Sequence, residues 1–368
     1  MNEVPITEFA APVLIAAMKA GFLMFMVMNF AYVLSWMERK QSALMQDRIG
    51  ANRADIFGFT LIGLFNPIAD AIKMITKEEF VPEGADRFLH SLAPVVALFF
   101  ALAAFAVIPF GNTIPLFGHE VRLQVLEFNV GVLYVFAALS MGIYGFVLAG
   151  WSSNNNFALL GGLRAASQMI AYEITMGATI VGIIMVYGTL DLQAMNHQQG
   201  ELWFGWIPKW GVFMQPLGLL LFATAAMAET KRAPFDLPEG ESEIIGYFTE
   251  YSGMKFGMFF TTDFLETVVA SAMVTTLFFG GWQVPYLGPG GVHFPWGGEI
   301  ALSGLVVALL QIGAFFGKVF FFCWFFLLVR WTLPRFRYDQ LMSLGWKMML
   351  PISLLNIVAT GLVIVLIE

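Results

Sequence analysis

The sequence is poor in charge. Of its 368 residues, 58% are hydrophobic and only 12% are charged. A soluble domain needs far more charge to cover its surface, so a soluble protein is excluded and the lipid bilayer is the expected solvent. The formal net charge of -7 gives no support to nucleic-acid binding, and no nucleic-acid partner is expected.

Metal-ligating side chains are also scarce. The single cysteine, Cys323, excludes an internal disulfide and a paired-cysteine metal site. The four histidines are scattered along the chain, at His90, His119, His197 and His293. Haem ligation by two histidines, an iron–sulfur cluster and a zinc site are therefore all disfavoured, and no redox metal is expected in this chain.

Long apolar runs dominate what is present. Eight stretches are long enough to cross ~30 Å of hydrocarbon, which takes about 20 helical residues. They predict an all-α, polytopic integral membrane protein forming one membrane domain over residues 1–368. The predicted spans are 10–36, 89–110, 128–149, 168–188, 212–229, 256–280, 301–329 and 347–367. The cytoplasmic loops would be 37–88, 150–167, 230–255 and 330–346.

The basic residues predict the orientation. Fifteen of the nineteen Lys and Arg residues, from Arg39 to Lys347, lie in or at the edge of the segments after spans 1, 3, 5 and 7. Cytoplasmic loops carry such an excess of positive charge. We therefore expect these four segments in the cytoplasm and both chain termini outside.

The first cytoplasmic loop contains an amphipathic pattern. Apolar residues recur at helical spacing, at Leu61, Leu64, Phe65, Ile68, Ile72 and Ile75, with charged residues on other faces. This pattern predicts a helix lying in the membrane surface. The periodicity fits equally well a helix packed under a partner subunit.

Ionisable residues occur inside the predicted spans, where each costs at least ~2.5 kcal/mol. They are Lys19, Glu173, Asp263, Glu266 and Lys318, with Glu127 and Glu229 at span ends. Protonatable groups in neighbouring spans are what a proton path requires. The alternative is internal ion pairing that fixes helix packing, and for any single residue both interpretations stay open.

The loop between spans 5 and 6 is unusually acidic. Residues 229–253 read ETKRAPFDLPEGESEIIGYFTEYSG, and two prolines, Pro234 and Pro238, prevent a continuous helix. No flexible linker separates the acids from span 6, so we expect them to fold back against the helices. A cluster packed in that way responds sharply to any charge that arises nearby.

Several long stretches resemble one family closely. They are MERKQSALMQDRIG at 37–50, PIADAIKMITKE at 67–78, GWSSNNNFALLGGLRAASQMIAYEITMG at 150–177, AETKRAPFDLPEGESE at 228–243 and RWTLPRFRYDQLMSLGWKMMLP at 330–351. Over its eight spans the chain is similar to the quinone-site membrane component of respiratory complex I, the counterpart of mitochondrial subunit 1 and of the bacterial H subunit.

The resemblance implies a function. A hydrophilic arm would pass electrons to a quinone, ubiquinone or menaquinone, in a chamber between this subunit and peripheral partners that carry the terminal Fe–S cluster. Quinone reduction would then drive proton translocation in a bacterial inner membrane, alongside other membrane-arm subunits. Since the electrons stay in partner subunits, no haem, Fe–S cluster, FMN or metal is expected in this chain.

The resemblance also implies roles for individual residues. Quinone-chamber residues would be Glu38, Arg39, Phe235 and Asp236. Proton-relay residues would be Glu127, Glu173, Glu229, Glu239, Glu241, Glu243, Asp263 and Glu266. Contacts to the peripheral arm would come from Arg330, Arg335, Arg337 and Asp339. None of these residues is expected to be a redox centre.

Departures and rival interpretations remain. Ala51 stands where the family has proline, and Asn66 precedes Pro67 where glutamine is commoner. Membrane-bound hydrogenases and coenzyme-F420 dehydrogenases have homologous subunits with other electron donors. A stand-alone cation/proton transporter would explain the charged spans but not the large cytoplasmic loops. A purely structural anchor would leave the intramembrane acids unexplained.

Overall fold

The protein is a helical membrane bundle. The computed structural model describes residues 6–116, 119–240, 243–244, 246–288 and 290–367. Its helices are α1 (Ile6–Met45), α2 (Asn66–Thr76), α3 (Arg87–Ala104), α4 (Gly131–Ser152), α5 (Asn156–Tyr187), α6 (Leu192–Gln199), α7 (Gly211–Met214), α8 (Pro216–Glu229), α9 (Gly253–Phe278), α10 (Gly304–Thr332), α11 (Tyr338–Ser343) and α12 (Leu350–Ile367). Short 3₁₀ turns lie at Leu61–Gly63 and Phe105–Val107, and a π-helical turn at Leu344–Met349 leads into α12.

Seven helical segments of the described chain are long and apolar enough to cross a membrane. The predicted polytopic all-α fold is therefore confirmed. The fifth predicted span, 212–229, is divided into α7 and α8 at Gln215, and α8 alone has only 14 residues. The Gln215 side chain accepts a hydrogen bond from Asn356 Nδ2 (2.8 Å) and donates one to Thr360 Oγ1 (2.5 Å). Neighbouring side chains thus support the break, which lipid could not do.

Helix α9 is the centre of the bundle. It packs against α1, α2, α3, α8 and α10, and every residue from Thr262 to Phe278 is buried. Side chains that are buried on all faces of a helix pack against protein and not against lipid. Asp263 and Glu266, near the middle of α9, are therefore held in the protein interior.

The amphipathic helix of the first loop is confirmed as α2, but it is shorter than the apolar pattern indicated. Leu61, Ile62 and Gly63 have φ values of 39°, 58° and 84°, which interrupt the helix before Asn66. Ile68, Ile72 and Ile75 on α2 are exposed in this chain.

Small antiparallel sheets lie at the end of the bundle opposite α2. They are the pair β1 (Thr113–Leu116) and β2 (His119–Arg122), the pair β3 (Leu202–Trp203) and β4 (Ile207–Pro208), and the three strands β5 (Leu287–Gly288), β6 (Gly291–His293) and β7 (Glu299–Ala301). In the first pair Thr113 is opposite Arg122, and in the third Leu287 is opposite Val292.

Candidate functional site

The acidic loop begins where α8 ends. Helix α8 stops at Glu229, and the Thr230 hydroxyl donates to the Met227 carbonyl at 2.8 Å. Lys231 has a φ of 55°, in the left-handed region that costs a residue with a Cβ about 1–2 kcal/mol. Pro234 and Pro238 follow and cannot continue a helix. The chain therefore turns back over the bundle instead of leaving it.

Helix α5 holds this loop in place. The Gln168 amide donates to the carbonyls of Ala228 (2.6 Å) and Phe235 (2.8 Å). The Phe235 ring lies between Tyr172 and Phe336, with centroid distances of 5.8 and 5.5 Å. The expectation that the loop packs against the helices is thus met around Phe235, which is itself buried.

Glycine permits the closest contact between this loop and α5. A Cβ on Gly161 would lie 2.8 Å from the Tyr247 backbone nitrogen, too close for any side chain. Tyr247 is fully buried and packs edge-to-face on Phe146 and Phe259. The backbone of the acidic loop therefore lies directly on the α5 surface.

A buried lysine lies between two carboxylates of α9. The Lys231 side chain is fully buried, and its Nζ lies 2.6 Å from Glu266 Oε2 and 3.5 Å from Asp263 Oδ1. The same ammonium lies 3.4 Å from the centroid of the Phe146 ring. Two carboxylates thus share one cation in a site closed to solvent.

Glu38 joins three segments that are distant in sequence through two arginines. Its carboxylate accepts hydrogen bonds from Arg232 Nη1 (2.9 Å) and from Arg330. The Arg232 guanidinium also lies over the Phe264 ring, 3.9 Å from its centroid. The end of α1, the acidic loop and the end of α10 are therefore tied to each other beside α9.

Asp236 and Glu239 continue the acidic cluster. Asp236 pairs with Arg335, yet burial outweighs this pairing and raises the pKa of the Asp236 carboxyl above its usual value. Burial, together with the neighbouring Asp263 and Asp236 carboxylates, raises the pKa of Glu239 well above its usual value. Both groups therefore favour the protonated form more than a solvated carboxyl does.

Two carboxylates face a small internal cavity. Glu229 and Glu266 line a space between α4, α5, α8 and α9 whose volume is about 10 Å³, which is close to one water molecule. Glu173, on α5, accepts a hydrogen bond from Ser140 and lines a separate groove of about 320 Å³ on the α4–α5 face. Acids on three helices thus lie near one another inside the bundle.

Two adjoining grooves lie on the α1, α2 and α9 side of this region. The first, of about 190 Å³, lies between α1, α2 and α9 and is lined by residues such as Tyr32, Ala71 and Phe264. The second, of about 390 Å³, is lined by Arg39 and other basic residues of the first loop. Asp70, which pairs with Arg39, lines both grooves, as do Met74 and Phe260.

Not every residue singled out in the sequence joins this cluster. Glu127 pairs with Arg122 (3.1 Å) on the exposed side of the chain, beside β2 and before α4 begins. Glu243 pairs with Arg164 (2.7 Å) and is largely exposed. Arg337 and Asp339 are exposed and pair with each other at 3.1 Å. Glu241 lies outside the described residues.

The sequence did not reveal two of the central cations. In the sequence, Lys231 and Arg232 are two basic residues within an acidic loop, and no pattern there predicts a role for either of them. The available signal was their position, directly after Glu229 and before Pro234, where a chain leaving α8 must pass close to the acids of α9. Asp70 was also missed as the partner of Arg39.

The arrangement is suited to storing and moving protons. Lys231 is outnumbered by Asp263 and Glu266, and Glu229 and Glu239 add two more carboxyl groups beside them. Uncompensated buried charge is costly, so some of these carboxyl groups must hold protons. A change in charge in the adjacent grooves would redistribute those protons.

Comparison with known proteins identifies the family. A sequence model of the family described as NADH dehydrogenase matches residues 18–361. NADH-quinone oxidoreductase subunit 8 of Rhodothermus marinus is 44% identical over 334 residues, covering 90% of this chain and 92% of that protein. The NADH-quinone oxidoreductase H subunit of Thermomicrobium roseum is 44% identical over 355 residues, covering 95% of this chain and 96% of that protein. The chain therefore belongs to the NADH dehydrogenase family, as a membrane subunit of the NADH-quinone oxidoreductase type.

Proposed function

We propose that this chain forms the membrane part of the quinone chamber in a proton-pumping NADH:quinone oxidoreductase. It provides the access path for ubiquinone or menaquinone and couples quinone reduction to proton translocation through its buried carboxylates. The observation that carries this proposal is the pair of adjoining grooves beside α1, α2 and α9, which share Asp70, Met74 and Phe260. Phe264, which lines one of them, follows Asp263 on α9 and has the Arg232 guanidinium over its ring.

The lining of the grooves suits a quinone. Apolar side chains such as Met28, Ala31 and Phe260 line the groove between the helices, as a lipid-soluble molecule requires. The next groove adds the Arg39–Asp70 pair and Lys73, which suit the polar head group of the substrate. Glu38, near the end of α1, and Phe235 and Asp236, in the acidic loop, would complete the chamber wall with the peripheral subunits.

The geometry of α9 supports the proposed coupling. Phe260 and Phe264 contact the groove from the same helix, α9, that carries Asp263 and Glu266. Negative charge arising on the quinone would repel the nearby carboxylates and favour their protonation. Glu239 and Asp263 would respond first, followed by Glu266, Glu229 and then Glu173 near the α4–α5 groove. Glu243 and Glu127 remain candidates, although the partners described for them are Arg164 and Arg122. Glu241 remains a candidate that lies outside the described residues.

The surroundings of the chain are part of the proposal. The cytoplasmic side of a bacterial inner membrane would hold α2 and the acidic loop, with both termini outside. Exposed Arg337 and Asp339, with Arg330 and Arg335 behind them, would face the peripheral arm that carries the terminal Fe–S cluster. Other membrane-arm subunits would cover the groove beside Glu173.

A blocking substitution tests the access path. Ala71 is exposed and lines the groove on α2, so Ala71→Phe should narrow it. In the intact complex purified from membranes, we expect inhibitor-sensitive NADH:quinone reduction to fall, more for a long-chain quinone than for a short-chain one. The matched control is Ala359→Phe, at an exposed position of α12 away from the groove.

The readouts separate access from assembly. Reduction of a soluble dye by the peripheral arm measures how much intact complex is present. Equal quinone reduction by Ala71→Phe and Ala359→Phe, at equal dye reduction, would show that quinone does not pass between α1, α2 and α9. Equal losses of quinone and dye reduction in Ala71→Phe would indicate an assembly defect, and Ala71→Ser would then leave the groove open as the comparison.

A further inference from the structure

Lys231 is the one buried cation that touches two carboxylates of α9 within the described part of the chain. Its Nζ lies 2.6 Å from Glu266 and 3.5 Å from Asp263. Asp263 and Glu266 are three residues apart and so lie on one face of the helix. A small rotation of the lysine stem therefore exchanges the nearer partner for the farther one.

The two carboxylates lead in different directions. Asp263 interacts with Glu239 of the acidic loop, where both are close to Asp236. Glu266 lines the small cavity together with Glu229, at the end of α8. Lys231 thus lies between a pair of acids that includes Glu239 of the acidic loop and a pair of acids at the small cavity inside the bundle.

The site leaves the ammonium few other contacts. The aromatic face of Phe146 lies on one side of it, and the lysine side chain is closed to solvent. A lysine carries a compact charge on a flexible stem, with three donors that rotate freely. Arginine, by contrast, has a wide planar fork that is permanently charged.

We propose that Lys231 is a positioning residue for proton transfer: its ammonium moves between Glu266 and Asp263 and so decides which pair of acids holds the mobile proton. When the ammonium pairs with Glu266, that carboxylate is ionised, and the proton is held by Asp263 and Glu239. When it moves to Asp263, Glu266 takes up a proton and shares it with Glu229. The proton leaves one carboxyl oxygen and joins another, so the total charge of the cluster does not change. The proposal rests on the proposed relay function of the same carboxylates.

A simpler alternative is a fixed ion pair. In that case Lys231 would only fasten the acidic loop to α9, and its loss would act through folding. The backbone of Lys231 is in the left-handed region, where asparagine or glycine is more easily accommodated. A lysine in this strained conformation is compatible with a fixed ion pair and with a mobile ammonium. The experiment must therefore separate these two roles of Lys231.

The test uses the intact complex in proteoliposomes. Lys231→Met should lower inhibitor-sensitive quinone reduction and proton uptake by about tenfold after normalisation to dye reduction, below the full effect of a general acid or base. Lys231→Arg keeps the charge but not the compact head, and should remain several-fold impaired. Lys255→Met is the matched control, because Lys255 lies at the start of α9 and donates only to Ser91.

A compensating variant separates the two interpretations. Lys231→Met combined with Glu266→Gln removes both charges of the closest pair at nearly constant volume. If Lys231 only fastens the loop, the double variant should recover assembly, and those Lys231→Met complexes that do assemble should reduce quinone at the wild-type rate. If Lys231 positions the proton, the double variant should also assemble, but quinone reduction and proton uptake per assembled complex should stay low in Lys231→Met itself.

Infrared difference spectroscopy of quinone reduction reports the protonation directly. The wild-type spectrum should show one carboxyl band that is lost in Asp263→Asn and another that is lost in Glu266→Gln, with opposite signs. Lys231→Met should abolish this paired signal. Unchanged bands and unchanged turnover in Lys231→Met would overturn the proposal. If Glu229→Gln were also without effect, the relay function itself would fail, and not only the role of Lys231.

Discussion

The two halves of α9 use polar residues in different ways. The half near the acidic loop carries Asp263 and Glu266, which face a buried lysine and other acids. The other half carries Ser271, Thr275 and Thr276, whose hydroxyls donate to carbonyls of their own helix at 2.8 Å. One half therefore holds titratable charge, while the other is polar but neutral.

The elements around each half follow the same division. At the neutral end, Gln199 Nε2 donates to the Thr276 carbonyl and its Oε1 accepts from the Gly280 nitrogen, both at 2.8 Å. Each of these hydrogen bonds joins an amide side chain to a backbone group, and neither partner gains or loses a proton near neutral pH. At the charged end, Glu38, Lys231 and Arg232 join segments that are far apart in sequence. Under the proposed function, the neutral end serves fixed packing and the charged end serves exchange of protons.

The largest effect is expected from a single carboxyl at the charged end. Glu229→Gln keeps the shape of the side chain but removes its proton exchange, so coupled quinone reduction should fall about a hundredfold. Turnover of the purified complex, normalised to dye reduction, measures this loss. Thr276→Val at the neutral end is the control and should turn over normally, since its hydroxyl bonds only to its own helix. Wild-type turnover in Glu229→Gln would remove it from the relay.

The next effect concerns stability. Glu38→Gln leaves Arg232 and Arg330 without their shared carboxylate and should cost about 2–3 kcal/mol, less than for a fully buried pair because Glu38 keeps some solvent contact. The thermal unfolding midpoint of the purified complex would measure it. Glu243→Gln breaks an exposed pair and should cost no more than about 1 kcal/mol. Equal shifts in the two variants would contradict the division between buried and exposed pairs.

Sequence patterns were sufficient to predict most of the membrane-spanning helices. A run of about 20 apolar residues has few stable arrangements in lipid other than a spanning helix. The break at Gln215 could not be foreseen, because it depends on Asn356 and Thr360, which come from a helix distant in sequence. The limits of α2 depended on positive φ values that leucine and isoleucine rarely adopt.

The candidate site was only partly predictable. The density of acids after α8 indicated a cluster, and Asp263 and Glu266 were expected on one face of a helix. Their partner could not be read from the chain, because Lys231 and Lys255 are both lysines in the same segment, and only Lys231 turns inward. Glu127 looked equivalent to the other acids, but the segment before α4 places it beside Arg122.

Lys318 of α10 is an exception to this division, because it brings an ionisable side chain to the otherwise neutral end. Lys318 Nζ donates to the carbonyls of Phe279, Gly281 and Gln283 at 2.8, 3.0 and 2.7 Å. These carbonyls follow the end of α9, so Lys318→Met leaves them without a donor and should cost about 1–2 kcal/mol of stability. Thermal unfolding would measure that loss. Quinone reduction per assembled complex should not change, and a selective loss of proton uptake would show that the neutral end also takes part in coupling.

The smallest effect is a pH dependence confined to the charged end. Burial raises the pKa of Asp236 above its ordinary value of 3.8. The folded protein therefore binds this proton more tightly than the unfolded chain. Stability is lost as the pH rises from the unfolded pKa of Asp236 through its higher folded pKa. Relative to wild type, the free energy of unfolding of Asp236→Asn should rise by about 1 kcal/mol or less between acidic and neutral pH. Unfolding midpoints measured against pH would show this rise. Asp339→Asn is the control, because it makes the same change at an exposed carboxylate beside Arg337. A parallel pH profile for Asp236→Asn and wild type would mean that Arg335 compensates the burial of Asp236 fully, and that the charged end stores its protons only on the acids deeper in the bundle.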